Sequence, residues 1–333
     1  MQSPGNDVHI ILTDFEVPTK YKTRLENPQW NHKVINLKRV NLQDIDLEKV
    51  DIIVVVGDVL GDPLGFRPSE ATRNLKLFQT LTAGVDQLDL SVIPEGAVIC
   101  SNAGAYAEPM AEFVFAFILA LAKNLPSLQE EMRQGNFPRQ SAQATFLKGK
   151  TIGIIGAGGI GRATAKIAKA FGMRAFGIAA RPRSIDNFDF VGTLDDLDYL
   201  LRESDFIVIS IPLTPRTRAL INRERLNMMK RGSVLINVAR GPIIVEKDLY
   251  DHLKENPEFK AGIDVWWRYP SKGEKFKPDY PFDSLKNVLL TPHISWKVPE
   301  ADDKSLGDAL ENVVRFLAGQ ELRGTVNRSD YGY

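Results

Sequence analysis

"GKTIGIIGAGGIGRATAKIAKAFGM", residues 149–173, decides the fold. A short β-type run, "TIGIIG", meets Gly156, Gly158 and Gly161 in the spacing GxGxxG, and "RATAKIAKAFG" continues with a helical pattern. Glycine triplets also occur in plain turns, so the spacing alone says little. Its place between a strand and a helix says more. A pyrophosphate needs a tight turn, close approach of the backbone, and N–H groups at the positive end of a helix. Gly159 and Ile160 would supply such groups, and the stretch reads as a dinucleotide cradle.

Working outward, the same architecture repeats. Downstream come strand "RAFGIA", helix "LDDLDYLLRES", strand "DFIVISI", helix "RERLNMMKRG", strand "SVLINVA", helix "EKDLYDHLKEN", strand "AGIDV" and strand "NVLLTPH". With "TIGIIG" these make six strands with interleaved helices, as a doubly wound dinucleotide-binding fold requires. Upstream, "VHIILTDF", "KVINL", "DIIVVVGD", "LKLFQTLTAG" and "AVICSN" are continuous apolar runs separated by helix-sized gaps. Such runs suggest a second parallel sheet covered on both faces. Near the end, Leu306, Leu310, Val313, Val314 and Leu317 recur at helical spacing, and Gly319 suits the residue after a helix end.

At 333 residues the chain is about twice a typical domain, so two domains are expected. Lys+Arg and Asp+Glu both number 42, which gives no field to attract nucleic acid or an anionic membrane. The single cysteine, Cys100, cannot form an internal disulfide, and zinc-ligand spacings are absent, so no metal is expected. The start, "MQSPGNDVHIILTDF", does not read as a signal peptide. The most apolar run, "FVFAFILALA" at 113–122, is half the length of a membrane span of about 20 residues and reads as a buried helix. The expectation is a cytoplasmic α/β protein without a membrane partner.

The choice of cofactor rests on the end of the second strand of the cradle unit. An acidic residue there would hydrogen-bond the ribose 2′-OH of NAD. Here the sequence is "GIAARPRS": Ala179 holds the acidic position, and Arg181 and Arg183 follow. Two guanidiniums and no carboxylate favour a 2′-phosphate, so NADP is expected, with NAD possible if the arginines are solvated loop charges.

These motifs together resemble the D-2-hydroxyacid dehydrogenase family, which includes glyoxylate and hydroxypyruvate reductases. The resemblance runs from about residue 80 to 318 through "TAGVD", "AEFVFAFILALAKN", the cradle, "IPLTPRTRALIN", "MKRGSVLINVARGPIIVEKDL", "AGIDV" and "LLTPHIS". It implies a discontinuous, flavodoxin-like substrate domain from residues 1–101 and 298–333. A Rossmann cofactor domain, 102–297, is inserted between, and homodimers form through it. It also implies hydride transfer between NADP(H) and a small 2-oxo acid.

Hydride transfer to a 2-oxo acid needs a cation for the carboxylate and a proton donor near neutral pH. Arg240 follows strand "SVLINVA", where ligands bind in this architecture, and matches the family's substrate-binding arginine. His293 in "TPHIS" matches its acid/base histidine, whose ordinary pKa of about 6.5 suits the task. His9, His32 and His252 sit in less promising contexts: the first strand, just before a strand, and a helix. By the same resemblance Asp264 lies near the nicotinamide carboxamide. Pro212, Thr214 and Thr217 wall the adenosine, and Val238 and Ala239 underlie the nicotinamide. Ala83, Gly84 and Val85 offer N–H groups to the substrate carboxylate.

One position departs from the family. A glutamate normally stands before the proline in "DVWWRYP" and keeps the histidine charged, but here the residue is Tyr269. A phenol can orient an imidazole but cannot favour its cation as a carboxylate does. Three readings stay open: an active His–Tyr pair, a substitute carboxylate from Glu274, Glu108 or Asp86, or an NAD(P)-binding regulatory module with little turnover. Trp266, Trp267 and Trp296 either shape an apolar substrate pocket or are ordinary core.

Overall fold

The computed structural model describes residues 8–40, 44–56, 73–181 and 184–333. Arg183, one of the two expected cofactor arginines, lies outside the described residues. The chain divides into two compact units, Met1–Ala105 with Pro299–Tyr333, and Tyr106–Val298.

Among the described residues, the first unit holds five parallel strands: β1 (His9–Thr13), β2 (His32–Asn36), β3 (Val50–Val55), β4 (Leu77–Thr80) and β5 (Val98–Cys100). Their order, β2-β1-β3-β4-β5, is the flavodoxin-like one. His32 opens β2 rather than preceding it. β3 and β4 are buried throughout, which explains runs such as "VDIIVV" without polar alternation. One face is covered by α1 (Thr19–Leu25) and the C-terminal helix Pro299–Leu317, which place Leu25, Leu310 and Val313 against Ile11, Ile52 and Leu77. That helix ends at Gly319 as its sequence suggests. The φ of Gly319 is +65°, its N–H donates to Phe316 O and that of Gln320 to Arg315 O, so the last carbonyls are satisfied.

The second unit begins with α2 (Ala107–Ala122) and α3 (Leu125–Arg133). Its sheet contains, among the described residues, seven parallel strands: β6 (Thr151–Ile155), β7 (Arg174–Ile178), β8 (Phe190–Gly192), β9 (Phe206–Ile209), β10 (Val234–Asn237), β11 (Lys260–Ile263) and β12 (Val288–Leu290). The sequence suggests six. The additional strand is β8, three residues at the sheet edge beside β7, too short to leave a hydrophobic period. The order β12-β11-β10-β9-β6-β7-β8 changes direction between β6 and β9. Such a switch point opens a crevice at the carboxyl ends of the strands.

The apolar run at 113–122 is core. Val114, Phe117, Ile118 and Leu121 of α2 pack on Ile152, Ile154, Phe206, Val208 and Ile236. Each such side chain contributes about 1.5–3 kcal/mol by leaving water. Among the described residues no single helix is long and apolar enough to cross a membrane.

Candidate active site

β6 runs through Gly156, Ala157 and Gly158 into α4 (Gly159–Ala170), and its glycines are there for different reasons. Gly156 has φ +114°, and a Cβ on it would stand 2.7 Å from Ser210 O. A Cβ on Gly161 would overlap Gly156 O, so this glycine lets helix and strand approach. At Gly158, by contrast, a Cβ would meet nothing within 4 Å, and no side chain caps the helix. An open approach, at the switch point, to an uncapped helix start of 12 residues fits a dinucleotide pyrophosphate. Beyond β7, Ala179 donates its N–H to Gly192 O, and exposed Arg181 follows. The position thus carries a cation and no carboxylate. After β9, Thr217 is buried: its hydroxyl donates to Pro212 O (2.7 Å) and accepts from Thr214 N–H (2.8 Å), so it holds that loop in shape.

Arg240 follows β10, beyond the buried Val238 and Ala239. Asn237 braces the turn: its amide donates to Arg240 O (3.0 Å) and its Oδ1 accepts from Ala239 N–H (3.1 Å). Arg240 Nη1 donates to Ala239 O at 2.9 Å. Next comes Gly241, where a Cβ would strike the backbone of Trp266 and Trp267. The Arg240 turn therefore lies directly against "DVWW".

His293 occupies the turn after β12 with φ +60°, an uncommon conformation for a residue with a side chain. The fully buried Asp264 holds this turn. Its Oδ1 accepts from Thr291 Oγ1 (2.6 Å) and Ile294 N–H (2.9 Å), and its Oδ2 from Ser295 N–H (3.0 Å). Trp266 Nε1 donates to Thr291 O at 2.9 Å. The Tyr269 ring lies beside the imidazole of His293, centroids 5.5 Å apart at 36°. Its hydroxyl accepts from Trp266 N–H at 3.2 Å.

Of the three alternative carboxylates, Glu274 is exposed and accepts from Ser271 N–H in its own turn (3.1 Å), Glu108 is exposed on α2, and Asp86 belongs to the first unit. A recess of about 550 Å³ beside Tyr269 is lined by Arg268, Glu274, Lys275, Phe276, Lys277 and Asp279. Trp266 and Trp267 are framework: the Trp267 indole donates to Ile244 O at 2.7 Å and stacks on Phe282. Trp296 meets Tyr106 edge-on.

In the first unit, Ala83, Gly84 and Val85 follow β4. Thr82 Oγ1 donates to Gly84 O at 3.4 Å, and Val85 is buried. Among the described residues no cluster of three or more His, Cys, Asp or Glu could hold a metal. Asn237, Gly241 and Thr291 do not stand out in the sequence. Only the adjacency of Asn237 and Gly241 to Arg240, and of Thr291 to the "PHIS" turn, could have pointed to them.

A glycine cradle at such a switch point defines the dinucleotide-binding class of doubly wound proteins. Residues 115–295 match the NAD binding domain of the D-isomer specific 2-hydroxyacid dehydrogenases, and the chain belongs to that family. It is 35% identical to the D-3-phosphoglycerate dehydrogenase of Methanocaldococcus jannaschii over 78% of its own length, but spans only 48% of that relative. It is 34% identical to the hydroxypyruvate reductase of Thermotoga maritima, covering 74% of this chain and 79% of the other. Among solved structures it resembles a D-isomer specific 2-hydroxyacid dehydrogenase of Xanthobacter autotrophicus in complex with NADPH and MES. The TM-score is 0.79 at 26% identity, covering 98% of this chain and 100% of that one.

Proposed function

We propose that the protein reduces a small 2-oxo acid, of the glyoxylate or hydroxypyruvate kind, to the D-2-hydroxy acid with NADPH. The observation that carries this reading is the strained His293 turn, two strands from Arg240 in the order β12-β11-β10. Neighbouring strands are about 4.8 Å apart, so the two turns start about 10 Å from each other, within reach of one small molecule. Uncommon backbone geometry of this sort persists where the surroundings enforce it, often at active sites.

When bound, the nicotinamide supplies a hydride to the carbonyl carbon. Arg240 holds the substrate carboxylate through its planar guanidinium and polarises the neighbouring carbonyl. His293 gives its proton to the carbonyl oxygen. Tyr269 steadies the imidazole by ring contact, so the reductive rate should fall at lower pH than with a carboxylate partner. Gly156–Gly161 and Arg181 hold the cofactor, with Pro212 beside the adenosine and Val238 and Ala239 beneath the nicotinamide. The protein would work in the cytoplasm as a homodimer, a second copy covering the exposed Leu125, Met132, Phe137 and Phe146.

NADPH oxidation across a panel of 2-oxo acids at several pH values tests the reading. Turnover of at least one, with NADPH preferred over NADH, is expected. Tight NADPH binding with turnover of none would replace the enzyme by a regulatory module.

A further inference from the structure

We propose that Asp264 is the positioning residue of His293, acting through the main chain rather than through the imidazole ring. The inference rests on His293 being the acid/base group. All three donors to the Asp264 carboxylate come from the segment 291–295 that carries this histidine: Thr291 Oγ1 at 2.6 Å, Ile294 N–H at 2.9 Å and Ser295 N–H at 3.0 Å. Two successive N–H groups after a residue at φ +60° form a concavity suited to an anion, and the chain fills it with its own buried carboxylate. Both carboxylate oxygens are engaged in this way.

Asp264 is also tied in the opposite direction. Its N–H donates to Asn237 O at 3.1 Å, and the Asn237 side chain braces the Arg240 turn. One residue therefore links the two turns, by its backbone toward Arg240 and by its side chain toward His293. The position before Pro270 carries the uncharged Tyr269, which meets His293 ring to ring. Whatever meets the ring, the clamp fixes the main chain from which the imidazole projects.

The test compares Asp264→Asn and Thr291→Val with the natural protein by steady-state kinetics, NADPH titration and hydrogen exchange of the amides of residues 291–296. An amide presents a donor to Ser295 N–H, so Asp264→Asn breaks the clamp at nearly constant volume. A misplacement of about 1 Å lowers a rate by about 100-fold, and a kcat loss of that order is expected for Asp264→Asn. Thr291→Val, which removes one of the three bonds, should lose less in kcat. Both should speed exchange at 294 and 295, and Thr291→Val should leave the NADPH dissociation constant within about threefold, a change under 1 kcal/mol. Unchanged exchange at 294 and 295 in both variants, with kcat falling all the same, would overturn the proposal. If Asp264→Asn does not fold, Thr291→Val decides by the same readings. A His293→Gln variant keeping its kcat would remove the acid/base reading, while exchange at 294 and 295 would still report on the clamp.

Discussion

The two ends of the second unit's crevice are built by opposite means. At the cradle, β6 meets α4 through what is missing: side chains at Gly156, Gly158 and Gly161, and a cap on the helix. At the histidine turn, the backbone is held by what is present, a buried carboxylate with three donors and an indole N–H on Thr291 O. Both enforce uncommon backbone, φ +114° at Gly156 and +60° at His293, but only the glycine adopts it without side-chain cost. A site that must hold phosphate can be made of empty space. A site that places a proton donor, as we propose for His293, has to be braced.

The sharpest way to break this contrast is His293→Gln. It should lower reductive kcat by about 10²–10⁴, the usual worth of a positioned acid, with NADPH titration unchanged. The cradle glycines can then be separated from one another. Gly161→Ala should cost about 1–3 kcal/mol in denaturant unfolding, because the new Cβ meets backbone. Gly158→Ala should leave the melting temperature alone and weaken NADPH about tenfold, or about 1.4 kcal/mol, because a Cβ there meets no protein atom but enters the expected pyrophosphate space. If both variants behave alike, the distinction between packing and ligand space is wrong. A subtler probe is Tyr269→Glu, which puts a carboxylate beside the imidazole and should move the fall of reductive kcat/KM to higher pH. An unmoved profile would show that the group at position 269 does not govern the charge of His293.

The smallest effect concerns a histidine outside both ends. Burial pushes His252, on the helix Glu246–Glu255, below its ordinary value, and its ring packs edge-on against Phe259. The unfolded chain then binds the proton more readily than the folded one. This contribution to stability is complete above about pH 6.5 and is lost as pH falls from there toward the folded value. His252→Gln should flatten the pH dependence of urea unfolding in that window without altering kcat.

Much of the fold is legible because parallel strands buried on both faces write continuous apolar runs, and the GxGxxG turn punctuates them. β8 escapes because three edge residues carry no period. The cradle is equally legible, since glycine's role is local. The brace on His293 is not: Asp264 lies 29 positions before it, and nothing in either segment announces that a carboxylate and two amides will meet. Arg240 and His293 stand out by residue type and strand-end position. Asn237 and Gly241, which shape the Arg240 turn, do not.

The strand order also acts as a ruler. Arg181 follows β7 and His293 follows β12, and in the order β12-β11-β10-β9-β6-β7 these strands are five steps apart. At about 4.8 Å per step the two ends lie about 24 Å apart along the sheet. That spacing is fixed by main-chain hydrogen bonding and not by any side chain. Selection for a ligand long enough to span the crevice is therefore a property of topology, one that point substitutions can weaken but cannot rescale.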